Sequence, residues 1–292
     1  MYESFSQEVK NEISSGRFKN KCCRSSLLCG MIFGTCPSSE DLIELESENP
    51  SVVMLYAKLV KEFTGWKRDS DISLTSISSE ARINTLKAGL GISSILSFDE
   101  SLFKCEECRH SFLKGVFLTC GTVTYPENSY HMEFLISGED RVDFLKEILS
   151  DLGQTPKITE RKGGYLGLYY KDSESVVDLL GHLGANRATF KMLDIKIYKD
   201  LRNNANRRAN CEMANIGKTV AASDAQIRAI EAIIDSGKSD ELPEELKQTL
   251  DLRAAFPSAT LNELAAMHTP PITKSGVNHR LKRLIAFSEN IK

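Results

Sequence analysis

No uninterrupted apolar run approaches the roughly 18 residues that a membrane-spanning helix needs. The first residues, Met1 to Asn11, mix acids and bases and do not place an apolar core behind a basic start. Both absences predict a cytoplasmic protein with no membrane partner. Charge of one sign is missing as well: the net charge is -3 over 292 residues. The whole chain carries no electrostatic signature of nucleic-acid binding, so such a role has to come from local asymmetry. Cysteine is too scarce for a disulfide scaffold, with 8 in the chain, and a cytosolic setting keeps them reduced. What is left, 41% hydrophobic and 26% charged residues, is the composition of an ordinary globular protein with room for roughly two domains.

The chain does contain a repeat. Cys23-Arg24-Ser25-Ser26-Leu27-Leu28-Cys29-Gly30-Met31-Ile32-Phe33 returns as Cys108-Arg109-His110-Ser111-Phe112-Leu113-Lys114-Gly115-Val116-Phe117-Leu118, with Cys-Arg, Ser, Leu and Gly in register. Copies this far apart imply a duplicated domain rather than a short solenoid array. Each copy reads as a helix too apolar to lie on a surface. Gly30 and Gly34 answer to Gly115 and Thr119, small residues one turn apart that let two helix backbones approach closely. The repeat thus predicts a pseudo-twofold domain whose halves meet along these helices. Cys105 and Cys108 have metal-ligand spacing, and Cys22-Cys23 precedes the other copy, so a shared zinc site is conceivable. A second CxxC pair is missing, and the preferred reading is of small buried or helix-terminal thiols with no metal and no cofactor.

Both halves repeat one order: helix, strands, helix, strands, helix. An amphipathic helix over Ser4 to Ser14, with Phe5, Val9 and Ile13 on one face, precedes the first copy. The basic run Arg17, Lys19, Lys21 and Arg24 between them reads as a solvated helix end and turn. After the first copy come strands at Leu42 to Leu45 and Asp71 to Ile77 and helices at Pro50 to Phe63 and Ser79 to Leu90. After the second come strands at Tyr130 to Ile136, Lys157 to Arg161 and Leu166 to Lys171, the last two joined through Gly163-Gly164, and helices at Glu139 to Leu152 and Glu174 to Leu183. His131 and Glu133 alternate with Met132 and Phe134, as the polar face of a half-buried strand should.

From Ile195 the composition shifts. Residues 198–222 hold few large apolar side chains and many Asn and Arg, which predicts a basic, solvated linker; Arg202, Asn203, Asn206, Arg207, Arg208 and Lys218 are its candidate DNA contacts. A helix over Asp224 to Asp235, N-capped by Ser223, follows, and a second opens at Leu242-Pro243 and runs to about Phe256. Thr260-Leu261-Asn262-Glu263 is a capping box, Thr269-Pro270-Pro271 ends the helix it starts, and a final helix turns Val277, Leu281 and Leu284 inward. Its outer face carries Lys274, Ser275, Asn278, His279, Lys282 and Arg283. Two short helices, a tight turn and a basic polar second helix form a helix-turn-helix pattern, in which the second helix reads the major groove.

The repeated helices resemble the LAGLIDADG helices of homing endonucleases, which pack at a pseudo-twofold axis beneath curved sheets that cradle DNA. In those enzymes the penultimate motif position is an acid that holds the catalytic metal. Thr35 and Cys120 occupy it here, and neither supplies the carboxylate charge that Mg²⁺ needs. The nearest later acids, Glu40, Asp41 and Glu127, are not equivalent in the two copies. Lys199-Asp200, Arg202-Asn203, Asn206-Arg207, Asn210-Cys211-Glu212 and Ala214-Asn215, with Lys274-Ser275-Gly276-Val277-Asn278-His279-Arg280, resemble the WhiA family of bacterial regulators.

That resemblance implies an α+β domain of two LAGLIDADG-like halves, 1–100 and 101–197, followed by the linker 198–222. An all-α domain, 223–292, would complete the chain, with a helix-turn-helix at about 259–291. It implies a non-enzymatic, nucleoid-associated transcription regulator that binds double-stranded DNA and is linked to cell division, chromosome segregation and sporulation. Another transcription factor or RNA polymerase would be a further partner. Two other classes stay open: a residual metal-dependent endonuclease, and a protein-interaction scaffold with accessory DNA binding.

Overall fold

Both copies of the repeated stretch are helices in the computed structural model, which describes residues 3–66 and 75–291. Two compact units divide the chain, Met1–Asp200 and Leu201–Lys292.

The first unit begins with α1 (Phe5–Ser14), capped by the Ser4 hydroxyl and burying Phe5, Val9 and Ile13. The first repeat helix, α2 (Lys21–Gly34), is followed by β1 (Ile43–Glu44), α3 (Pro50–Thr64), β2 (Ser76–Ile77) and α4 (Glu80–Leu90). Residues 71–74 of the strand predicted over Asp71 to Ile77 lie outside the described residues. Asn49 starts α3, its side chain accepting the backbone N–H groups of Ser51 and Val52 ahead of a proline that fits the first turn. In the second half the order is α5 (Glu107–Cys120), β3 (Gly121–Val123), β4 (Met132–Ser137), α6 (Glu139–Asp151), β5 (Lys157–Glu160), β6 (Tyr165–Tyr170) and α7 (Ser173–His182). β3 is a strand that the sequence pattern did not suggest. It leaves α5 without a loop, at a glycine where any Cβ would strike the Phe117 ring.

The second half has an antiparallel sheet in the order β3-β4-β6-β5. Its register sets Met132 opposite Tyr170 and Phe134 opposite Leu168, all four buried, so the alternation places one face on the core. Among the described residues the first half keeps only β1 paired with β2, Ile43 opposite Ile77. β1 directly precedes α3 as β4 precedes α6, and β2 directly precedes α4 as β6 precedes α7. The short pair is therefore the counterpart of the central strands β4 and β6.

Between the halves α2 and α5 pack along their lengths. Leu27 through Phe33 on one helix and Phe112, Leu113 and Val116 to Leu118 on the other are buried, and the Phe33 and Phe112 rings meet edge to face at 5.3 Å. A Cβ on Gly30 would collide with the Phe112 carbonyl, one on Gly115 with the Leu27 carbonyl, and one on Gly34 with the Thr119 hydroxyl. Of the small positions predicted from the repeat, Gly30 and Gly115 are the ones at which the backbones touch.

The linker expected at 198–222 is not irregular chain. It is the middle of one helix, α8 (Asn186–Asp235), 50 residues long. The helix predicted at Asp224 to Asp235 is its last part, and Ser223 caps nothing: its hydroxyl accepts a hydrogen bond from Arg253 at 2.7 Å. The segment lacks proline, has five Ala and three Arg among its Asn residues, and holds a single glycine, Gly217, whose cost is only about 1 kcal/mol. Apolar contacts hold both ends: Ala188 and Met192 in the core of the first unit, Ile230 and Ile233 in that of the second. Low hydrophobicity correctly indicated exposure but not backbone disorder.

The second unit continues with α9 (Glu244–Ala255), α10 (Leu261–Met267) and α11 (Lys274–Glu289), which close over a core of Leu246, Leu250, Leu264, Val277, Leu281 and Leu284. Among the described residues no helix is long and apolar enough to cross a membrane.

Candidate nucleic-acid interface

The two helices of the helix-turn-helix are each fixed at their starts. The Thr260 hydroxyl accepts the Glu263 backbone N–H while the Glu263 carboxylate accepts that of Thr260 at 2.7 Å, which completes the capping box of α10. The Thr273 hydroxyl accepts the Gly276 backbone N–H and caps α11. The turn between them hangs on a residue that the sequence pattern did not single out. His268 is buried, with Nε2 2.9 Å from the Thr249 hydroxyl of α9 and Nδ1 2.7 Å from the Leu264 carbonyl. Its neighbour Pro270 was the only local signal.

With Val277, Leu281 and Leu284 buried, α11 turns Lys274, Ser275, His279, Lys282 and Arg283 to solvent and leaves Asn278 half-buried. Lys274, Asn278, His279 and Lys282 make no hydrogen bond or ion pair with any described residue, and Ser275 bonds only to the Thr273 hydroxyl. Arg283 differs. Its guanidinium pairs with Glu245 of α9 at 2.6 Å, and Arg280 reaches the same carboxylate at 3.7 Å.

A groove of about 630 Å³ lies beside this face, and Lys274 and Asn278 share it with Lys218 and Thr219 of α8, the α10 start and buried Arg253. The fold thus brings Lys218 to the same groove as α11, though it lies 56 positions before Lys274 in the chain. The other α8 candidates are sorted by helical geometry. At about 100° per residue, Arg202, Asn203, Asn206 and Arg207 fall within roughly 140° of arc, while Arg208 projects about 100° beyond Arg207. All five are exposed. Lys218 stands roughly 24 Å further along the helix than Arg202.

At the far end of the α2–α5 axis, the Thr35 hydroxyl donates to the Ile32 carbonyl at 2.7 Å and the Cys120 thiol to the Val116 carbonyl at 3.2 Å. Burial pushes the Cys120 thiol far up, away from its ionised form, and the Lys10 ammonium lies close enough to interact with it. Glu40 is engaged elsewhere, by Lys87 at 3.2 Å and the Ile95 backbone N–H. Glu133 pairs with Arg161 at 2.7 Å on the sheet, and Arg24 of the basic run is tied to Glu62 at 2.8 Å and to the carbonyls of Phe18 and Lys19.

At the opposite end of the axis the fold gathers four thiols that the sequence left apart. Cys22 and Cys23 lie in the first turn of α2, with Cys105 just before α5 and Cys108 in its first turn. Cys105 Sγ is 3.7 Å from Cys22 Sγ, 3.6 Å from Cys23 Sγ and 3.4 Å from Cys108 Sγ. Burial opposes ionisation of Cys108, but hydrogen bonds from Ser26 and Cys105 outweigh it and bring the thiol down to about 7. The same bonding, to Cys108 and Cys23, pushes Cys105 up to about 12.

Comparison with known proteins covers both units. The WhiA LAGLIDADG-like domain matches residues 109–202 and the WhiA C-terminal HTH domain matches residues 205–288. A probable cell division protein WhiA of Clostridium novyi is 33% identical over 313 residues, covering 99% of this chain and 98% of that protein. One of Alkaliphilus metalliredigens is 34% identical over 305 residues, covering 96% of each. The crystal structure of full-length WhiA from Thermotoga maritima superposes with a TM-score of 0.57 at 24% identity over 98% of each chain, which is a likeness of fold.

Proposed function

The chain belongs to the WhiA family, and from that premise we propose that it is a DNA-binding regulator of transcription without nuclease activity. The observation that carries this reading is the outer face of α11, where Lys274, Asn278 and Lys282 stand on a capped helix with no partner among the described residues while its inner face is locked into the core. Lysines held this way suit phosphate oxygens, and the Asn278 amide suits the paired donor and acceptor of an adenine edge. Lys218, brought to the same groove, extends the phosphate contact, and the face of Arg202, Asn203, Asn206 and Arg207 adds a second strip along α8. Arg283, held by Glu245, contributes after that pair loosens and is the weaker of the basic contacts.

Thr35 and Cys120 offer no charge to a divalent cation, and both side chains hydrogen-bond to carbonyls of their own helices, which supports the loss of strand cleavage. The relatives are named for cell division, and a division-linked role, with chromosome segregation and sporulation where the host sporulates, fits the same reading. On this view the protein works at the nucleoid, with another transcription factor or RNA polymerase as partner.

Titration of the full chain against its bound genomic fragments, by fluorescence anisotropy across salt concentrations, tests the proposal. Lys274→Ala and Lys282→Ala should each weaken binding to every sequence and reduce the salt slope by about 1. Asn278→Ala should cost about 1–3 kcal/mol on the preferred site and relax its sequence preference. Unchanged binding in all three variants would remove α11 as the reading helix, and nicking of supercoiled plasmid by the chain with Mg²⁺ or Mn²⁺ would restore the nuclease.

A further inference from the structure

The cysteines at the start of the two axis helices are too closely and too completely grouped to be incidental packing. All four Sγ atoms lie within 4.8 Å of one another, and they come from segments 82 to 86 positions apart. A zinc ion bound by four thiolates at about 2.3 Å in a tetrahedron places its sulfurs roughly 3.8 Å apart. The measured contacts of 3.4, 3.6 and 3.7 Å lie close to that spacing.

Other chemistries fit less well. No pair of these sulfurs is bonded, and all four cysteines are free thiols. A polynuclear iron–sulfur cluster sets its thiolates on different metal atoms and so holds them wider than this. Four neutral thiols in mutual contact make only weak hydrogen bonds, with little to hold the group together.

The surroundings suit a site of net negative charge. α2 and α5 both direct their N-terminal, positive dipole ends at the sulfurs. Cys23 and Cys108 are equivalent positions of the repeat, and Cys22 and Cys105 flank them, so each half supplies two ligands.

We propose that Cys22, Cys23, Cys105 and Cys108 bind one zinc ion that fastens the N-terminal ends of the two axis helices to each other. With four protein ligands the site has no open position, and its role is structural. The site lies at the end of the axis opposite Thr35 and Cys120, uses none of the residues assigned to DNA, and stands whether or not the DNA-binding reading does.

The test is the metal content of the full chain, purified without chelator, followed by exchange of the bound ion for Co²⁺. One zinc per chain is expected, and the Co²⁺ form should show the intense visible bands and thiolate charge-transfer absorption of a tetrahedral sulfur site. Cys22→Ser and Cys105→Ser should each lose the ion. Should those variants fail to fold, thiol alkylation of the wild-type chain decides: zinc should protect these four of its 8 cysteines, and a strong chelator should expose them. A chain that retains no zinc and gives only pale octahedral Co²⁺ bands overturns the proposal. So does bound iron, protection of other cysteines, or a disulfide within the group in protein alkylated at lysis.

Discussion

Single residues decide how closely the two halves approach. Gly30 and Gly115 each face a backbone carbonyl of the opposite helix, and a carbonyl inside a helix cannot swing aside as a side chain can. Gly30→Ala should therefore destabilise the chain at the upper end of the roughly 1–3 kcal/mol typical of overpacking, read as a lower midpoint in urea denaturation. A midpoint equal to that of the wild type would contradict the close approach. Gly34 is different, because its obstacle is the Thr119 side chain, which has rotamers to yield. Arg283 and Lys282, neighbours in sequence and equally basic, also part company at this scale. Only Arg283 has a carboxylate within reach, and that contact is a property of α9 that no pattern in the last helix contains.

At the scale of elements, α8 and α10 carry the most information. The middle of α8 is solvated on all sides, and its continuity follows from helix propensity and from the apolar anchors at its two ends. Ala205→Pro tests this. In a linker the substitution would be nearly neutral, whereas in α8 it should cost about 3 kcal/mol and reduce the far-ultraviolet helical dichroism. α10 is a short helix whose stability leans on its cap. Thr260→Ala should lower stability by about 1 kcal/mol, measured by thermal denaturation. Glu263→Gln, which keeps the acceptor for the Thr260 N–H, should lose less than Thr260→Ala; an equal loss would mean that the carboxylate charge matters and the hydrogen bond does not.

The whole molecule should respond to acid. Burial lowers the His182 imidazole below its ordinary 6.5, with His110 3.2 Å away adding to the effect. The unfolded chain therefore takes up this proton first. Stability from His182 is complete above pH 6.5 and declines as pH falls through that value. The Ser175 backbone N–H holds the Asp172 carboxylate below its ordinary 3.8, so that contribution persists above pH 3.8 and is lost only further down. Denaturant midpoints from about pH 7 to 5 should fall in the wild type and flatten in His182→Gln; equal slopes would show that His182 is not the group responsible. Periodicity, caps and the repeat made the helices and the axis legible in the sequence, because each rests on contacts a few residues apart or on a pattern written twice. β1 and β2 fall inside strands read from the sequence, whereas β3 was not legible, since three residues carry too little alternation to read. By itself the sequence determined the two packed helices with small residues at their crossing, the missing acids at Thr35 and Cys120, and the basic face of the last helix. Only the tertiary structure decided that the linker is helical, that Lys218 shares a groove with Lys274 and Asn278, that Arg283 is held by Glu245, and that four thiols share one point. Each of these depends on residues brought together from distant parts of the chain, or on anchors at both ends of a segment, and local pattern carries no record of either.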